Sequence, residues 1–426
     1  MTDFIKKLFK REFVKNFSFL FTGTVFVEAI RFLLSPVFSR LYTPADFGTF
    51  GTMAATIGVL SIGFTLKYEV AVVLPEKKND AFSLVICALS SVVFFSFIVF
   101  ILMLLFRNFF SELIFKGNVV PFYLLYISIG AMIASLASVF KNWFVFLKEF
   151  KLYATVSVLT IITNSIVKLV LGLIGVGVPG LIASHFAGFF FAVLFMAVHL
   201  FVKHKDVIKE TTFDLIKKNA IKYKNYPLYT APQSFINSFS QQLPMFFLTP
   251  AYGADVTGNY FFAFTLVGMP LTMISQSFKN VFYKKLSEIH NAGKDLFEPV
   301  FKSTLTLFAI AIVPFSLLFI LSPYVFPVFL GDVWVEAGYY ARYISIWVFF
   351  GFSNVPSMVA LHVKMKQNTL FIYEIISTFL RCSFFIFFVS SLSPGMTVFF
   401  YSILGGILNL SIILFTLYFL RKKNEL

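Results

Sequence analysis

Glu28 and Arg31 stand three residues apart inside a long apolar run, and Lys168 and Arg381 interrupt two others. An ionisable group in such a setting is costly and is kept where it faces water, a partner or a ligand. Residues three, four or seven apart share a helix face. Glu28 and Arg31 therefore fit either an ion pair or two groups lining one cavity. Lys168 follows Asn164 by four residues, and Arg381 follows Glu374 by seven. A further run carries Gln233, Asn237 and Gln241 at i, i+4 and i+8, with Ser234, Ser238 and Gln242 beside them. One or two such groups would serve as interhelical glue. A whole stripe, on a helix bent by Pro227 and Pro232, suits a hydrated cavity wall. Its amides and hydroxyls match sugar hydroxyls.

Other motifs read as structure. Gly175-Val176-Gly177-Val178-Pro179-Gly180 has dinucleotide-motif spacing but joins two apolar runs, where it makes a turn instead of a strand-to-helix phosphate loop. Thr43-Pro44-Ala45-Asp46 has the form of a capping box opening a helix. No constellation of an enzyme is present: there is no HExxH, P-loop or GxSxG, so no catalytic residue is assigned. The five histidines are scattered without metal-ligand spacing, and no metal site is expected. Cys87 and Cys382 lie in separate apolar runs and make no disulfide framework.

The elements that must hold these groups follow from composition. Hydrophobic residues are 58% of the 426, charged residues 13%, and mean hydropathy is +0.86. A soluble core cannot hide that much apolar surface, so a bilayer is its solvent. Runs of about 20 apolar residues predict spans near 17–38, 47–66, 81–106, 120–140, 152–175 and 179–202. A second set is predicted near 227–249, 256–278, 300–321, 339–361, 369–390 and 396–420. With the N-terminus inside, 28 of the 35 basic residues fall in inner segments and three in outer ones. That asymmetry places both termini in the cytoplasm. It also accounts for most of the net charge of +15 as topological anchors, and no contiguous basic domain points to nucleic acid. The other four are Arg31, Lys168, Arg342 and Arg381, the last three in or near spans five, ten and eleven. Arg342 lies close enough to a span end to snorkel.

The predicted fold is thus an all-α integral membrane protein of twelve transmembrane helices in two six-helix lobes. The lobes cover 1–205 and 225–426, and a cytoplasmic loop, 206–224, joins them. Tyr42 and Gly48 align with Tyr252 and Gly258 at an offset of 210, close to half the chain. Six spans per half is an even number, so two parallel repeats are expected.

Pro36 through Gly51, then Lys67-Tyr68-Glu69-Val70-Ala71-Val72-Val73-Leu74-Pro75-Glu76 and Gly331-Asp332-Val333-Trp334-Val335-Glu336-Ala337-Gly338, resemble bacterial polysaccharide-biosynthesis proteins of the O-antigen flippase type. Those proteins belong to the multidrug and oligosaccharidyl-lipid (MATE-like) exporter superfamily. The resemblance implies a V-shaped pair of six-helix bundles in the bacterial inner membrane. Such a protein moves a polyprenyl-pyrophosphate-linked oligosaccharide from the cytoplasmic to the outer leaflet and works beside membrane lipids, polymerase and assembly proteins. On that reading Arg31, Lys168 and Arg381 meet the pyrophosphate, and Gln233, Asn237 and Gln241 face the glycan. Rocking about the 203–224 connection would alternate access. Glu28 and Glu374 are candidates for H+ or Na+ coupling; no ATP motif and no cofactor are expected. A drug or cation antiporter of the same fold is the alternative, and a membrane polymerase or glycosyltransferase ranks below it.

Overall fold

The computed structural model describes residues 11–117 and 121–422. The described residues form helices and turns with no strand. Twelve long helices follow one another: α1 (Arg11–Leu41), α2 (Pro44–Phe64), α3 (Lys78–Leu105), α4 (Leu125–Phe146), α5 (Phe150–Leu173) and α6 (Val178–Lys203), then α7 (Ala231–Tyr252), α8 (Ala254–Asn291), α9 (Phe297–Leu330), α10 (Val335–Ser353), α11 (Gln367–Phe388) and α12 (Pro394–Lys422). Each predicted span overlaps one of them, the one at 339–361 running on into a further helix, Val355–Val363. Among the described residues nine helical segments are long and apolar enough to cross a membrane. Of the other three long helices, α1, α7 and α8, α7 holds the amide stripe. The basic residues Lys6, Lys7 and Lys10 and the C-terminal residues 423–426 lie outside the described part.

Local chemistry explains the joints. Thr43 and Asp46 make the expected box: the Thr43 amide donates to Asp46 Oδ2 at 2.9 Å, and the Asp46 amide donates to Thr43 Oγ1 at 3.2 Å. Gly175 and Gly177, at φ of 76° and 66°, turn the chain between α5 and α6, so the dinucleotide-like spacing is a turn. α9 contains Pro314, Pro323 and Pro327. Pro323 has no N–H to offer the carbonyl one turn earlier. Arg342 takes that role, donating from Nε to Phe319 O at 2.8 Å and from Nη2 to Ile320 O at 3.3 Å.

Three features depart from the simplest picture. The span at 339–361 is α10 followed by a separate helix, Val355–Val363; the junction is held by buried Asn354, which donates to Asn409 Oδ1 at 3.0 Å. A nine-residue amphipathic helix, Arg107–Phe115, follows α3. The connecting segment is itself helical, over Lys205–Glu210 and Phe213–Lys222. It is fastened to α3: buried Asn219 donates to Asp80 Oδ1 at 2.9 Å and to Ser83 Oγ at 2.8 Å, and Asn79 donates to Glu210 at 2.9 Å.

The chain divides into two compact units. The first comprises Met1–Leu34 and Thr49–Gln242, the second Ser35–Gly48 and Leu243–Leu426. Set beside lobes at 1–205 and 225–426, the segment 35–48 sits with the second unit and 206–242 with the first. The core of the first unit is built on Trp143, Phe144, Phe82, Leu84 and Val85. In the second, Ser39 Oγ donates to Leu330 O at 2.7 Å, and the fully buried Trp334 indole donates to Ser39 O at 2.9 Å. The Trp334 ring rests on Phe262 and Phe47, with centroids 4.5 and 5.7 Å away.

Candidate functional site

The first unit gathers most of the residues singled out by chemistry. Arg31 on α1 donates to Glu28 Oε1 at 3.1 Å, one turn back, so the pair is formed; Arg31 remains 49% exposed and Glu28 17%. The Arg31 charge acts electrostatically on Lys141 at the end of α4, on Lys168 of α5 and on His185 of α6. Lys168 Nζ stands 5.9 Å above the Phe50 ring, which also meets the His185 imidazole at 5.7 Å. Arg31, paired with Glu28, thus shares one electrostatic field with Lys141 and Lys168. Such a group favours an anion over a cation.

The amide stripe belongs to the same unit. Gln233 and Asn237 are half-buried and Gln241 is exposed, all on the first part of α7. Just before them Tyr226–Thr230 forms a π-helical turn containing Pro227. A π turn widens the helix where a proline removes a donor. Phe235, between the stripe residues, lies over Gly63 of α2, where an added β-carbon would meet its ring at 3.7 Å.

Arg381 and Glu374 are on α11 in the second unit. Arg381 is 4% exposed and lies 5.4 Å from the Trp347 ring, within electrostatic reach of Tyr260, Tyr401 and Tyr373. The Trp347 ring in turn packs tightly on Gly405 of α12, where no β-carbon fits. Arg381 is accordingly embedded in an aromatic nest. Glu374 is half-buried two turns away, and its carbonyl accepts from Thr378 at 2.7 Å.

Two groupings had no signal in the sequence. Lys141 reads as one of the inner anchors, yet it shares the Arg31 field. Of the five histidines, His199 and His204 come together with Glu149. Their separation of 50 residues hid this, since only the fold brings the α4–α5 turn beside the end of α6. The signature-like stretches, by contrast, build joints. Pro36–Gly48 and Gly331–Trp334 interlock in the second unit, and Tyr68 donates to Ala220 O at 3.2 Å, holding the connecting helix. Burial, aided by the nearby Cys87 thiol, pushes the Tyr68 phenol above its ordinary range.

A profile of a family described as polysaccharide biosynthesis protein matches residues 37–339, well over half of the chain. The chain belongs to this family. No curated protein matches it in sequence. Among solved structures the fold is similar to an inward-facing multidrug-resistance MATE transporter of the MOP superfamily, with a TM-score of 0.72, 15% identity and 95% of each chain covered. It is also similar to a MOP-superfamily transporter from Pyrococcus furiosus Vc1 described as having a binding pocket of reversed polarity, at TM-score 0.63 and 16% identity over 96% of this chain and 95% of that one. A third is the lipid II flippase MurJ, at TM-score 0.66 and 18% identity over 95% and 87%. At these identities the likeness establishes the fold: this family member is a multi-pass membrane protein with MATE-like architecture.

Proposed function

We propose that this protein is a flippase for a polyprenyl-pyrophosphate-linked oligosaccharide, carrying a surface-polysaccharide repeat unit such as that of O-antigen across the bacterial inner membrane. The observation that carries the reading is the gathering of Arg31, Lys141 and Lys168 in the unit that also holds Gln233, Asn237 and Gln241. A lipid-linked sugar keeps its tail in the bilayer, while its anionic, hydroxyl-rich head needs a wet path. Cations meet the pyrophosphate, with the Arg31 fork suited to two phosphate oxygens, and the amides meet the glycan. Arg381 meets phosphate only in a conformation that opens the aromatic nest around it. Twelve spans with cytoplasmic termini, alternating access, and H+ or Na+ coupling through Glu28 or Glu374 belong to the same proposal. So do contacts with polymerase and assembly proteins that consume the repeat unit.

The Pyrococcus furiosus transporter of similar fold is described as having a binding pocket of reversed polarity that suggests a different function, so pocket charge is not fixed across this fold. A cation antiporter is disfavoured because Glu28 is already neutralised by Arg31 at 3.1 Å. The test is to place Arg31→Ala and Lys168→Ala in cells whose surface glycan depends on this protein. Lipid-linked oligosaccharide accumulating on the cytoplasmic leaflet is the expected result. Normal glycan with altered dye or drug efflux would overturn the flippase and favour the antiporter.

A further inference from the structure

One cluster in the first unit plays no part in the transport reading. Glu149 lies in the α4–α5 turn, directly after Lys148, whose φ is 61°. His199 is in the last turns of α6, and His204 closes that helix. One ligand atom from each residue lies within 4.8 Å of the other two. His199 Nε2 is already 3.1 Å from Glu149 Oε2, and the two imidazole centroids are 6.1 Å apart. His204 Nε2 is buried and meets no hydrogen-bond partner among the described residues. Buried polar atoms are nearly always satisfied, so this orphan, on a residue that comes together with two good ligands, needs an explanation. The walls are apolar: Trp143 sits edge-on to His204 at 6.0 Å, and Phe144 edge-on to His199 at 5.4 Å.

We propose that Glu149, His199 and His204 bind a divalent metal ion of the zinc class, leaving the fourth position to water. Around Zn2+ the imidazole and carboxylate atoms stand about 2.0–2.2 Å from the metal, hence roughly 3.3 Å from one another in a tetrahedron. The His199–Glu149 pair already has that spacing, and all three ligand atoms lie within 4.8 Å of one another, so small side-chain adjustments would complete the set. Two imidazoles and one carboxylate suit Zn2+, Co2+ or Ni2+ and not Mg2+ or Ca2+, which favour all-oxygen sets. Lys78 and Lys203 stand near enough to act on His204 electrostatically. The same two lysines oppose a dication, so binding is weaker than in a closed structural zinc site. A bound metal would staple the α4–α5 turn to the junction where the connecting helix Lys205–Glu210 begins.

The experiment uses the full-length protein in lipid nanodiscs, purified on a tag without histidine and stripped with a chelator, then titrated with Co2+ and Zn2+. One Co2+ per chain, with visible d–d absorption that Zn2+ abolishes, is the expected result. His204→Ala and Glu149→Gln should each weaken binding tenfold or more, while His290→Ala, at the end of α8, leaves it unchanged. Circular dichroism and elution profile establish that each variant is folded, and Glu149→Gln decides the matter should His204→Ala fail to fold. Stoichiometry well below one, or affinity unchanged in the folded variants, overturns the site. Neither result bears on the flippase proposal, which uses none of these three residues.

Discussion

Gly48 and Gly258, 210 residues apart, meet backbone to backbone in the second unit: a β-carbon built on either would lie 2.8 Å from the amide nitrogen of the other. It would also overlap the Ala254 carbonyl in one case and the Pro44 carbonyl in the other. Neither obstacle is a flexible side-chain tip, so the backbones themselves must part. Gly48→Ala and Gly258→Ala are therefore each expected to cost about 1–3 kcal/mol or more, lowering the thermal unfolding midpoint of the detergent-solubilised protein. Alanine at Gly395, which has open space around its β position, is the contrast and should change little.

Arg342 and Pro323 should be coupled. Removing the guanidinium strands the Phe319 carbonyl, at a cost of about 1–3 kcal/mol. In a Pro323→Ala background the restored N–H can take that carbonyl, and the same Arg342→Ala change should cost measurably less. A double-mutant cycle on unfolding midpoints reads the difference; additive effects would show that Arg342 acts elsewhere.

Asn219 fastens the connecting helix through two side-chain bonds to α3. Asn219→Ala leaves Asp80 and Ser83 without that donor and should free 205–224 to proteolysis, with cleavage several-fold faster under native conditions. Resistance equal to the parent would mean that Asn79 and Tyr68 suffice to hold the segment.

Lys141 shares the field of Arg31 with Lys168, so the proposed pyrophosphate site predicts that Lys141→Ala weakens protection by a polyprenyl pyrophosphate in a thermal-shift assay. Lys148→Ala, in the turn beyond α4, should not. Protection by the ligand should also fade as salt is raised, because partly exposed charges are screened within about 10 Å at 0.1 M.

Hydropathy made the helices legible because each span had to bury its own backbone polar groups in lipid. The capping box at Thr43 and the glycine turn at Gly175 were equally readable, since both act within a few residues. The tyrosine–glycine offset of 210 pointed to a repeat, and its glycines prove to be a contact. What escaped depends on long-range placement. Asn219 meets partners 136 and 139 residues away, so the connecting segment reads as a loop when it is a docked pair of helices. Arg381 is legible as an intramembrane charge, but its aromatic nest of Trp347, Tyr260 and Tyr401 comes from three other helices. Lys141 looked like an anchor because positive-inside counting is blind to which face of a helix a lysine occupies.

The stretch Ser35–Gly48 belongs with residues that the ribosome makes much later. Its partners Phe262, Leu330 and Trp334 emerge more than 200 residues after it, which at about 5–20 residues per second is roughly 10–40 s. Through that interval the Ser39 hydroxyl has the Pro36 carbonyl of its own helix, at 3.0 Å, while the Ser39 carbonyl awaits the Trp334 indole. Splitting the gene between its two halves should thus give a first fragment that inserts yet stays open to degradation at residues 35–48. Co-expression of the second fragment should rescue it.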